Sequence, residues 1–160
     1  MIAYLGSQVV NGINHAVLAE QIVLTDKDSK NIVILIFNEK PNDNGATLVS
    51  IERILEGGLP LGGTTVDVKM ADEIPEEVME IWTDGCHRCL GSRMIPVALL
   101  GTRVTTGMNY IFVATVDGQI PGSKLELALI VVNDLTRRIM AYADLLADKT
   151  DLALGYAFNW

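Results

Sequence analysis

Cysteine is nearly absent from this chain. Cys86 and Cys89 are its only two in 160 residues. That excludes a disulfide-built scaffold and favours a reducing, cytoplasmic setting. Basic residues are also few: 12 Lys and Arg stand against 20 Asp and Glu, for a formal net charge of −8. They form no cluster beyond the pair Arg137-Arg138. Nucleic acid and anionic membrane surfaces are therefore excluded as expected partners, because nothing gathers positive charge against phosphate. Long apolar runs are missing as well. Hydrophobic residues make up 49% of the chain and the mean hydropathy is +0.31, yet the longest runs are 32–37 and 94–100. A membrane span needs about 20 residues, so no transmembrane helix is expected. The first residues carry no basic segment ahead of an apolar one, so no secretory leader is expected either.

What the chain does contain is a repeat. Residues 3–39 and 98–134 align without a gap at one constant offset (107 − 12 = 95). Ala3, Leu5, Gly6, Val9, Gly12, Asn14, Ala19 and Asn38 meet identical residues in Ala98, Leu100, Gly101, Val104, Gly107, Asn109, Ala114 and Asn133. A period near half the chain length predicts two similar supersecondary units packed together. The duplicated residues are mostly apolar, small or amide. They are not the acids, bases and nucleophiles of a catalytic centre, so no catalytic residue and no cofactor are expected.

Each copy reads as strand, glycine-marked bend, strand, polar turn, strand. In the first copy the strands are 2–10, 14–24 and 31–38. In the second they are 94–105, 109–116 and 125–132, all rich in Val, Ile and Leu. The bends at Asn11-Gly12 and Thr106-Gly107 exploit the freedom of glycine at positive φ. The segments 48–55 and 139–146 fit both helical and extended patterns; we read them as fourth strands. Between the copies, 57–63 (GGLPLGG) is a loop by composition. Residues 72–82 then predict a helix. Pro75, Glu76 and Glu77 suit its first turn, and Ile74, Val78, Ile81 and Trp82 mark one apolar face. Asp84-Gly85 is expected to end it. The fold class is thus α+β, an antiparallel sheet packed on a helix. Residues 1–56 form a half lacking its own helix and residues 57–160 a half containing one, the two sharing one compact unit. The helix-less half leaves an apolar sheet face to be buried, which predicts a homo-oligomer or an intimate pairing of the halves.

Gly6, Ser7, Gln8, Val9, Val10, Asn11, Gly12, Ile13, Asn14 and His15 in sequence resemble the signature of the cystatin family, a Gln-x-Val-x-Gly turn followed by Asn-Tyr or Asn-His. Arg103, Val104, Thr105, Thr106 and Gly107, followed by Asn109 and Tyr110, resemble a second copy in which Arg103 replaces the glutamine. The resemblance implies an antiparallel sheet wrapped around one helix and, as partner, a protein. In inhibitory members that partner is a papain-like cysteine protease. It makes Gln8, Val9, Val10, Asn11 and Gly12 the protease-binding hairpin. Neither copy carries the Pro-Trp of the family's second hairpin. The first copy lacks the glycine segment and helix, and the second keeps Gly57-Gly58 and the helix beside a degraded turn.

The remaining constellations are weaker. Cys86, His87 and Cys89 supply at most three ligands where structural zinc takes four. A redox C-x-x-C belongs at a helix N-terminus, whereas here the helix precedes the motif. Glu76, Glu77 and Glu80 read as a solvated helix face, and His15 as an aromatic-type packing position matching Tyr110. The aromatic ending 155–160 reads as a last strand or a docking tail. The function expected is that of a non-enzymatic protein-binding or scaffold protein. The alternatives are a papain-like protease inhibitor and a metal or small-ligand protein using Cys86 and Cys89.

Overall fold

Nine strands and one helix follow one another in a computed structural model that describes residues 1–24, 29–41, 45–58, 63–89, 91–118 and 125–145. The elements are β1 (Ala3–Val10), β2 (Gly12–Val23), β3 (Ser29–Glu39), β4 (Ala46–Glu56), β5 (Thr64–Met70), α1 (Glu76–Cys86), β6 (Ser92–Thr105), β7 (Gly107–Gly118), β8 (Leu125–Asn133) and β9 (Arg138–Asp144). The first four strands form one antiparallel sheet in the order β1-β2-β3-β4. The other five form a second, β5-β6-β7-β8-β9. The chain is thus α+β, with antiparallel sheet dominating. Segment 48–55 is extended within β4, and of segment 139–146 residues 139–144 are extended within β9.

Apolar residues on both parities of the central strands have a direct cause, because the second sheet is buried on both faces. One face meets the first sheet. Leu5, Ala16, Leu18, Ile32, Ile34 and Ile36 pack in one core with Leu100, Ile111, Val113, Leu127, Leu129 and Val131. Each residue of the first set stands 95 positions before one of the second. The other face meets α1, whose Val78, Ile81 and Trp82, with Ile74 just ahead of the helix, cover Leu99, Phe112, Ala114, Ile130 and Val132. The Trp82 and Phe112 rings lie 4.7 Å apart at 55°, a tilted contact of the favourable aromatic kind. The layers therefore run sheet, sheet, helix.

No helix among the described residues covers the corresponding outer face of the first sheet. A row across all four strands, Tyr4, Val17, Leu35 and Ile51, matches the row Leu99, Phe112, Ile130 and Tyr142, of which the first three are packed with α1. Tyr4 and Ile51 are 54% and 50% exposed.

The connection between sheets fixes their relative direction. Gly57 follows β4, donates its N–H to Asn31 Oδ1 at the start of β3, and bridges Thr64. Thr64 in turn pairs with Arg103, close to the β6–β7 bend. The β6–β7 bend thus lies at the end of the sandwich that holds the β2–β3 turn, and the β1–β2 bend lies at the opposite end. β4 adjoins β5 along one side, which leaves β1 and β9 along the other.

Two expectations are corrected. Residues 64–70, not read as a strand from sequence, form β5, whose Val66 enters the shared core. The helix begins at Glu76, with residues 72–74 in a turn, and Gly85 does not end it: α1 continues to Cys86. Gly85 is there for contact. A Cβ at this position would strike the Val132 side chain, so glycine lets the last turn of α1 settle onto β8. The expected tail 155–160 lies outside the described residues.

Candidate functional site

The β1–β2 hairpin ends in the tightest bend of the first sheet. Val10 pairs with Gly12 and Val9 with Ile13, leaving Asn11 as the turn residue. Gly12 adopts φ 108°, which L side chains rarely reach. A Cβ there would also collide with the Glu39 carbonyl oxygen. The motif glycine is therefore demanded twice, by the turn and by the approach of β3. Beside it the apolar residues point into solvent. Val9 is 83% exposed, Val10 47% and Ile13 39%, on a tip where sequence alone gives no reason to bury less than elsewhere. Because Ile13 pairs with Glu39 and Glu39 with Ala46, the β3–β4 turn stands at the same end. Of the five residues of the hairpin, Gln8 alone is neither at the bend nor strongly exposed.

Next to the tip lies a constellation the sequence did not disclose. Tyr4 Oη and His15 Nδ1 are 3.0 Å apart, and His15 Nε2 and Glu39 Oε2 are 3.2 Å apart. With the ring proton on Nε2, the tyrosine hydroxyl donates to Nδ1 and the imidazole donates to the carboxylate. The chain of contacts ties β1, β2 and β3 together on the uncovered face. Its members are neighbours only through strand register, so no spacing motif announces them. The second sheet has Leu99, Tyr110 and Asp134 at the matching positions and builds something different there.

The second bend, at Thr106, is clamped. Gly107 has φ 88°, and a Cβ would meet Asp134 Oδ1. That carboxylate accepts the Met108 N–H at 2.9 Å, while Asn133 Nδ2 donates to the Thr106 carbonyl at 3.2 Å. Val104 is 60% exposed, and Thr105 and Thr106 are exposed with it. Arg103 stands one step back, paired to both Thr64 and Asn109. The two hairpins expected from sequence are therefore both present, but they are placed at opposite ends of the sandwich and form no single surface.

Cys86 is the last residue of α1, and His87 caps the helix by donating its N–H to the Thr83 carbonyl at 2.9 Å. The Cys89 N–H returns to the Cys86 carbonyl at 2.9 Å. Both thiols are free. Burial pushes the Cys86 thiol up to about 12, with the neighbouring Cys89 adding to the rise. The motif thus sits at the negative end of the helix dipole, where a thiolate is disfavoured. Among the described residues, no three His, Cys, Asp or Glu side chains converge to hold a metal ion. Among them, too, no helix is long and apolar enough to cross a membrane. Glu76, Glu77 and Glu80 are exposed.

Comparison of the chain with family models, with curated proteins and with solved structures gave no match.

Proposed function

We propose that this chain is a non-enzymatic, protein-binding module of cystatin-like and internally duplicated architecture, with its contact surface at the 8–12 tip. Support for the architecture comes from order and register. Residues 64–144 run strand, helix, four strands, in the sheet order β5-β6-β7-β8-β9, which is the arrangement the cystatin resemblance implies. Asn14 pairs with Asn38 as Asn109 pairs with Asn133, and the irregularity at Tyr4/Gly6 in β1 matches that at Leu99/Gly101 in β6. The first sheet is then the same unit without its leading strand and helix.

The observation that carries the binding role is the exposure of Val9 and Val10 at 83% and 47%. Two adjacent branched apolar side chains held at a one-residue bend gain by being covered. A photo-crosslinking residue placed at position 9 is expected to yield a discrete protein adduct in cells, where one at the exposed Asp67 does not. Equal or absent labelling at both positions overturns the reading.

A second reading names the partner class, a papain-like cysteine protease. It is favoured by the β3–β4 turn standing beside the 8–12 tip, since the inhibitory members of the resembled family use two adjacent hairpins. Papain titrated with the chain is expected to be inhibited at submicromolar concentration, and Val9→Asp is expected to abolish the effect with folding intact. No inhibition at tens of micromolar overturns this reading. For metal binding by Cys86, His87 and Cys89 no further converging ligand speaks among the described residues.

A further inference from the structure

Among the described residues the second sheet has five strands and the first four, and the strand without a counterpart in the first is the one that would pair with β1. In the second sheet β5 pairs with β6, with Val66 opposite Gly101 and Met70 opposite Ala98. That pairing runs over a notch. A Cβ on Gly101 would collide with the Thr65 carbonyl oxygen, so glycine is what admits the β5 backbone. Gly6 holds the matching position in β1, at the matching irregularity, with φ 144°. A Cβ there would meet no described atom within 4 Å. The notch is built, and no described residue fills it. β1 is also the outermost strand of its sheet among the described residues. Its sequence, AYLGSQVV, carries no charge and no proline, the usual devices by which an edge strand avoids taking on another.

Topology identifies the occupant. β1 and β9 share one side of the sandwich, opposite the β4–β5 side. β9 runs away from the β6–β7 end and finishes at Asp144, with Leu145 in the shared core, at the end where β1 also finishes. A strand beginning there would run antiparallel to β1, as β5 does to β6. Residues 151–160 read DLALGYAFNW, with Leu152, Leu154, Tyr156, Phe158 and Trp160 at every second position. This is the period of a strand with one apolar face. Residues 57–63 join β4 to β5, and the same number of residues, 145–151, separates Asp144 from Leu152 in the sequence. We propose that the free edge of β1, notched at Gly6, is the docking site of residues 152–160 of the same chain, added as an antiparallel strand.

Amide hydrogen exchange on the full chain, resolved by residue, tests this. Amides of 152–160 and of the outer edge of β1 are expected to exchange at least roughly 100-fold more slowly than in an unstructured peptide. Tyr156→Pro removes a mid-strand donor and is expected to abolish both protections, while β7 and β8 keep theirs. Exchange of 152–160 at the unstructured rate in the unmodified chain overturns the proposal. So does protection of that segment with β1 indifferent to Tyr156→Pro. Protection accompanied by a dimeric mass in sedimentation assigns the edge to a second copy's segment and overturns docking within one chain.

Discussion

Asn38 donates from its side-chain amide to the side-chain oxygen of Asn14 at 2.7 Å, across β3 and β2. Asn133 and Asn109 repeat the contact at 2.8 Å, but Asn133 has further work. It is 2% exposed, reaches the Thr106 carbonyl, and its oxygen accepts the N–H groups of Leu135 and Thr136 at 3.1 and 3.0 Å. Removing this buried side chain breaks four hydrogen bonds at once. Asn133→Ala is expected to cost about 2–4 kcal/mol and Asn38→Ala about 1 kcal/mol. Urea unfolding of the two variants checks this, and equal losses would contradict it.

Gly85 gives a test with a sign. A glycine that merely ended the helix would tolerate alanine, or gain from it through helix propensity. One that seats α1 against Val132 cannot. Gly85→Ala is expected to destabilise by about 1–3 kcal/mol through overpacking. Gly85→Ala combined with Val132→Ala is expected to recover part of the loss, because the second change removes the obstructing methyls.

Cys86 sets an alkaline limit. Its thiol binds a proton more tightly when folded, at about 12, than the ordinary value of 9.0. A raised folded-state value means the contribution is complete below the unfolded value and is lost as pH rises through the folded one. The stability difference between the chain and Cys86→Ala is therefore expected to be flat below about pH 9 and to shrink as pH climbs toward 12. Thermal unfolding of both proteins across that range reads it. Iodoacetamide at about pH 8 is expected to modify Cys89 ahead of Cys86, since burial suppresses the reactive thiolate.

The local plan was legible because it is written in short-range patterns. The bends at Gly12 and Gly107, the pairing of β2 with β3, and the helix face of Val78, Ile81 and Trp82 all follow from spacing and turn chemistry, whereas Ile74 lies just ahead of the helix. What escaped depends on contacts between distant segments. The strand Thr64–Met70 is short and follows a glycine-rich loop, and it becomes a strand by pairing with β6. Gly85 looks like a stop signal until Val132 is set beside it. Tyr4, His15 and Glu39 share no motif, and register alone brings them together. Which sheet faces meet was equally silent, because strands buried on both sides alternate nothing.

The antiparallel stacking of the two sheets has a consequence for assembly. Val9 and Val104 are exposed at opposite ends of the sandwich, so engagement at both ends would hold two partners apart with this molecule as the spacer between them, and a row would grow only from a partner that itself carries two such contacts.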